Sequence, residues 1–311
     1  MEFDVYHDES KIAGYWHGIL LVPRTKRDVL LRGLQTIRDF TGCKAPISLK
    51  DVNERRSHNF QCGRAWVRLG TLALIQNIKG KVEHVFVGKQ TFSSLDHRTA
   101  VNPIPVLSVD QPIGCRFILF RERDDHRLMD PGGKHLDHGA KIETTFRMGL
   151  KGGLHYLFDE NKPASVASLH FDGHKHLGRH VDGRRIVGRL EQELRSYCRF
   201  LDTTEIHDQS SDHTKPDAQP YEDCQLLQLT DLLVGSFRTV LGKEHSAVHA
   251  EVALPVKDLI QKWSEGPTRM KNSRWHKGFW LSEGHLEHGK WQFGNLRNNP
   301  RAAEEHPLLP L

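Results

Sequence analysis

The chain of 311 residues carries 44 Lys and Arg against 39 Asp and Glu, a formal net charge of +5, together with 21 histidines and five cysteines. No run approaches the roughly 18 consecutive apolar residues that a membrane span needs, and the scattered cysteines contain no C-x-x-C pair, which excludes a disulfide framework and a zinc ribbon. One core with elaborations is expected, in a reducing cytoplasm since EFDVYHDES lacks the layout of a signal peptide, with a cationic excess that suits a polyanionic partner.

At the start, Phe3, Val5 and His7 alternate with Asp4, Tyr6 and Asp8, which predicts a strand that runs into two adjacent carboxylates, Asp8 and Glu9. The aromatic and aliphatic run from Tyr15 to Val22 predicts its paired strand. Val29, Leu30, Leu34 and Ile37 recur at helical spacing over residues 24–40, with Gly42 as a stop, and a second helix is expected over residues 60–78. A third strand is expected over residues 82–87. Prolines and paired glycines punctuate residues 93–139, which read as an insertion holding one strand at 115–120. Beyond it the pattern predicts a helix from Lys141 to Phe158 and a strand from Val166 to Phe171 closed by Asp172. An Arg-studded helix with the ridge Ile186, Leu190, Leu194 and Tyr197 follows, then a short strand over 203–207, the polar loop SSDHTKPDAQP and the strongest helix, Glu222 to Leu241. A helix over 252–263 and an aromatic hairpin over 275–296 complete the chain, whose last residues are rich in Pro and charge.

The core therefore reads strand, strand, strand, helix, strand, helix, strand, helix. That is the element order of the ribonuclease H-like fold, an α/β architecture with a mixed sheet flanked by helices, here with two helices inserted between the second and third strands. The division expected is a catalytic domain over residues 1–245, with insertions at about 24–80 and 93–139, and a C-terminal helix-and-hairpin extension over 246–311.

Acids at strand ends must be solvated or neutralised, because burying bare charge costs several kcal/mol. Hard divalent cations such as Mg²⁺ or Mn²⁺ take oxygen ligands, so a metal-dependent phosphodiesterase gathers carboxylates from separate elements. Asp8 and Glu9 close the first strand and Asp172 closes a middle one. Asp231 lies in an otherwise apolar helix, roughly 40° past Leu227 at 100° per residue, on a ridge with Gln228, Gly235 and Arg238. It thus borders the core, where a helix packed on the sheet would hand a carboxylate to the strand ends.

The stretches HDES, LHFD and Leu227-Gln-Leu-Thr-Asp231 followed by LLVG resemble the bacterial domain-of-unknown-function 3800 family, whose pattern opens with Asp-Glu-Ser-Gly and closes with Leu-Gln-x-Ala-Asp-Leu. The likeness spans about residues 3–241. It implies a ribonuclease H-like fold, divalent-metal nuclease chemistry at Asp8, Glu9, Asp172 and Asp231, and a link to mobile elements or phage defence. Lys11 stands where the pattern has Gly, and Thr230 where it has Ala. Ribonuclease H-like enzymes often add a Glu from the first core helix, for which Glu143 is the candidate.

His174 and His176, just after Asp172, are expected at substrate phosphate or in proton transfer. Lys215 in the polar loop and the helix residues Arg185 and Arg189 are expected to follow a phosphate backbone. The His-rich segments, including His245 and His249, lack the neighbouring Glu of H-E-x-x-H and are not read as a zinc site. No phosphate loop, dinucleotide fingerprint or G-x-S-x-G elbow is present in the sequence. The expected function is a two-metal nuclease acting on DNA or RNA. The alternative is a catalytically silent nucleic-acid-binding or scaffold subunit, in which Lys11 or an Arg fills the space between the aspartates. Expected partners are nucleic acid and a protein such as an ATPase in a defence complex, with a homo-oligomer left open and no membrane.

Overall fold

The alternation at the N-terminus forms β1 (Glu2–Ser10), which pairs antiparallel with β2 (Tyr15–Pro23). A short 3-10 turn leads into α1 (Arg27–Thr41), which Gly42 ends in a left-handed conformation at φ 68° that glycine adopts without a steric penalty. α2 (His58–Ala73) starts where the Ser57 hydroxyl accepts a hydrogen bond from the Phe60 amide. There follow β3 (Glu83–Val87), β4 (Ile104–Val109), β5 (Arg116–Glu122), α3 (His138–Leu157), β6 (Ala164–Asp172), α4 (Gly183–Leu194) and β7 (Cys198–Gln209). The chain continues through α5 (Tyr221–Leu241), α6 (Ala247–Val252), α7 (Leu254–Ser264), β8 (Phe279–Glu287) and β9 (Lys290–Asn295). This computed structural model describes residues 1–11, 15–55, 57–77, 83–87, 104–109, 111–122, 138–159, 161–172, 183–194, 196–242, 246–264, 277–287 and 290–295. No described helix is long and apolar enough to cross a membrane.

The fold is α/β, with a seven-stranded mixed sheet in the order β7-β6-β1-β2-β5-β8-β9. β2 and β9 run against the other five strands. Side-chain alternation along β1 splits the core in two. Tyr6 joins a cluster with α1, α2, α5 and α7 on one face, whereas Phe3 and Val5 join Phe146, Leu150 and Leu190 of α3 and α4 on the other.

Two expectations are corrected here. The third strand of the sheet is β5, inside the segment read as an insertion, while residues 83–87 pair with β4 in a separate two-stranded sheet. The apolar run Phe117–Phe120 is wholly buried, as suits a central strand, but only nonlocal pairing reveals which strand takes the place beside β2. Equally, the C-terminal segment shares the core of the rest. β8 pairs parallel with β5, and Val252, Val256, Leu259 and Ile260 are buried in the same cluster as α2 and α5.

α5 presses closely on the middle of the sheet. A Cβ on Gly18 would lie 1.9 Å from Cγ2 of Val234, far inside van der Waals contact, and Gly18 is the residue of β2 paired with Asp8. The missing side chain is what lets the helix approach there. Gly18→Ala is expected to destabilise the fold by about 1–3 kcal/mol through overpacking, and Val234→Ala in the same chain to recover part of that loss. Urea unfolding of the four members of this double-mutant cycle measures the coupling; strictly additive effects would contradict the contact.

Candidate functional site

β1 and β6 are parallel neighbours, paired as far as His7 with Phe171, so Asp8 and Asp172 follow one step later on adjacent strand ends. α5 crosses above them and adds Asp231. The three carboxylates line one cleft of about 510 Å³, whose walls are residues 46–51, between α1 and α2, and residues 210–215, between β7 and α5. The whole ridge Gln228, Asp231, Gly235 and Arg238 faces this cleft.

Both walls are held against α5 by specific contacts. A Cβ on Gly235 would lie 2.6 Å from Cδ2 of Leu49, so glycine admits that loop directly onto the helix. In that position the Leu49 amide donates to Oδ2 of Asp231 at 3.0 Å. On the other wall, the Ser211 amide donates to Oδ1 of Asp172 at 2.8 Å.

The cleft raises the proton affinity of its acids. Burial pushes the Asp8 carboxyl well above the usual carboxylate range, and the charges of Asp231 and Asp172 push it further, against an amide hydrogen bond from Glu9. Burial likewise raises Asp231, to about 6; the Asp172 charge adds to this, whereas the Leu49 amide, Lys50 and a hydrogen bond with Asp8 hold it down. Oδ2 of Asp8 is buried and has no hydrogen-bond partner among the described residues.

The remaining expected site residues divide. Glu9 reaches the cleft at the strand end, but its carboxylate accepts from the Tyr15 hydroxyl at 2.7 Å and pairs with Lys11 at 3.5 Å. Strand alternation accounts for this, since Tyr15 belongs to the core on the α3 side of the sheet. Its charge also acts on Asp8 less than those of Asp231 and Asp172 do. Glu143 does not line the cleft: it is buried in α3 and pairs with the half-exposed Arg189 at 3.6 Å. Lys215 does line the cleft, as do Lys11, Lys50 and Arg238. Arg238 donates to the Ser10 hydroxyl at 2.8 Å. His174, His176 and the side chain of Arg185 lie outside the described residues.

Sequence inspection missed the loop at 46–51, where Ser48, Lys50 and Asp51 read as the ordinary polar residues of a connection between two helices. Gln228 was placed on the right ridge without a role.

The donor set suits a hard cation, being carboxylate oxygens with one buried oxygen unengaged. As the side chains stand, no group of three or more His, Cys, Asp or Glu able to hold a metal ion is formed among the described residues. One oxygen each of Asp172 and Asp231 is instead engaged by a wall amide. Compared with known proteins, the chain matches no family model, no curated protein and no solved structure.

Raised carboxyl values fix the sign of a pH effect. The folded protein binds protons at Asp8 and Asp231 more tightly than the unfolded chain, whose carboxyls titrate near 4, so the contribution of these two groups to stability is greatest below that value and falls as pH rises toward about 6. In EDTA, Asp231→Asn is expected to flatten this fall and to stabilise the protein at pH 7 by roughly 1–3 kcal/mol. Urea midpoints at pH 4.5 and 7.5 measure it; a variant with the wild-type slope would show that Asp231 is not strained in the fold.

Proposed function

We propose that the chain is a divalent-metal-dependent nuclease of ribonuclease H-like fold, related to the domain-of-unknown-function 3800 family. The observation that carries this proposal is the meeting of Asp8, Asp172 and Asp231, from two strands and a helix, in one cleft that also presents lysines. The fold assignment is supported by the sheet order. With β5 as third strand, the elements run β1, β2, β5, α3, β6, α4, β7, α5, which is three strands and then helix, strand, helix, strand, helix.

In this proposal Asp8, Asp172 and Asp231 would hold Mg²⁺ or Mn²⁺, with Glu9 and Glu143 outside the ligand set. A bound divalent cation would supply Lewis-acid polarisation of the phosphoryl oxygen and lower the pKa of an attacking water. The chain's own residues do the rest. The amides of Leu49 and Ser211 each hold one oxygen of Asp231 and Asp172, which would leave the second oxygen of each carboxylate as the donor to a cation. Lys50 and Lys215, one on each wall, neutralise a phosphodiester laid along the cleft. The expected products carry a 5′ phosphate and a 3′ hydroxyl.

A silent scaffold is the less favoured reading. Lys11 or an arginine seated among the three aspartates would favour it, whereas Lys11 pairs with Glu9 and Arg238 donates to Ser10. A protein partner such as an ATPase and a role in phage defence rest on the family resemblance alone.

With panels of DNA and RNA, cleavage is expected with Mg²⁺ or Mn²⁺ and not in EDTA. Asp8→Ala and Asp231→Ala are each expected to lower the rate by more than about 100-fold while leaving salt-dependent binding in place. Full turnover by both variants would overturn the mechanism, and binding without turnover by the wild type under every condition would favour the scaffold.

A further inference from the structure

Asp172 and Asp231 are each directed by a backbone amide on a different wall of the cleft, and the two walls are separate loops far apart in sequence. One side chain joins them. Gln228 is buried, one helical turn before Asp231 on the same ridge of α5. Its Oε1 accepts from the Ile47 amide at 3.1 Å and from Nη2 of Arg38 at 2.5 Å. Its Nε2 donates to the Ser211 carbonyl at 2.7 Å and meets Nδ1 of His213 at 3.3 Å.

The amide's two ends thus grip two loops. Ile47 lies two residues before Leu49, whose amide holds Asp231, and Ser211 itself holds Asp172 through its own amide. Arg38 reinforces the first wall, donating from Nη1 to the carbonyls of Cys43 and Ala45. The second wall touches the first directly as well, where Nε2 of His213 meets the Lys44 carbonyl at 3.2 Å. Only a carboxamide has a carbonyl acceptor and an N–H donor on one planar group of this length; a carboxylate of the same shape keeps the acceptor and loses the donor.

We infer that Gln228 is a positioning residue that sets Asp172 and Asp231 together, by tying the Ile47–Leu49 loop and the Ser211 loop to one point on α5. Its bearing on cation binding rests on the metal reading of the cleft, whereas its bearing on the two loops does not. Outer partners that orient ligands typically change metal affinity by 10–100-fold when removed.

The test uses the full chain, with Gln228→Glu and Gln228→Met, and reads amide hydrogen exchange at Leu49 and Ser211 together with the Mn²⁺ dissociation constant from the free-Mn²⁺ paramagnetic resonance signal. Gln228→Glu keeps the bonds from Ile47 and Arg38. It is expected to leave exchange at Leu49 as in the wild type, to speed exchange at Ser211 by about 10-fold or more, and to weaken Mn²⁺ by about 10–100-fold. Gln228→Met is expected to speed exchange at both amides; should it fail to fold, the Glu variant decides alone. Wild-type exchange at Ser211 in Gln228→Glu overturns the inference, as does altered exchange with unchanged Mn²⁺ affinity. A wild-type protein that binds no Mn²⁺ overturns the metal reading instead, and the exchange pattern at the two amides then still decides whether Gln228 ties the walls.

Discussion

The close approach of α5 to β1 and β2 is the contact on which the site depends. An α-helix and a sheet pack with side chains between them, and a helix carboxylate one side chain further away could not share a cleft with strand-end acids. Here two glycines remove the spacers. Gly18 takes the helix down beside Asp8, and Gly235 admits Leu49 to the helix so that its amide reaches Asp231. The hydrophobic contacts of Leu226, Leu229, Leu233 and Phe237 hold α5 in that place, which means apolar burial supplies the force that crowds the charges.

Crowding has a thermodynamic cost that the wall amides and Lys50 relieve only in part. Asp8 is desolvated next to two other acids, and its buried oxygen finds no donor among the described residues. Of the cations that line the cleft, Lys11 pairs with Glu9 and Lys215 with Asp212, while the charge of Lys50 acts on Asp231. A site built this way is destabilised when its carboxyls ionise, and a divalent cation is the simplest partner that would reverse the sign.

Much of this was legible in the sequence, and the limits are physical. Helical period alone put Gln228, Asp231, Gly235 and Arg238 on one ridge, and the strand ends put Asp8 and Asp172 at the sheet's edge. Adjacency does not make Glu9 equivalent to Asp8, because neighbours on a strand point to opposite faces and Glu9 meets Tyr15 and Lys11. Glu143 is in the expected helix, but that helix lies on the other layer, where Arg189 neutralises it. Nothing local distinguishes β5 from β3 as the partner of β2: both are short apolar runs, and the choice is made by pairing across about a hundred residues of chain. The loop at 46–51 was invisible for a similar reason, since it acts through its backbone amides, which every sequence possesses.

The contrast between an acid closed into a network and one left open to a cleft is visible within single elements. Four residues before Asp8 on β1, on the same face, stands Asp4, and eight residues before Asp231 on α5 stands Asp223. At about 3.3 Å per strand residue and 1.5 Å per helix residue, these offsets are both close to 12–13 Å, so the pairs face each other in register. The first pair is fully answered. Asp4 accepts from Arg24 at 3.0 Å and Ser168 at 2.7 Å, Asp223 accepts from Tyr6 and Arg27 at 2.8 Å each, and Arg27 spans the two acids. Around them Tyr6, His170 and His207 stack in sequence, and Gln219 and Ser168 meet both nitrogens of His170. The second pair, Asp8 and Asp231, lies on the same strand and the same helix, yet among the described residues no arginine pairs with either member. Where the network is closed by guanidinium groups the acids stiffen the fold; where it opens to the cleft, the acids stay desolvated and crowded, which is the feature on which the proposed cation site rests.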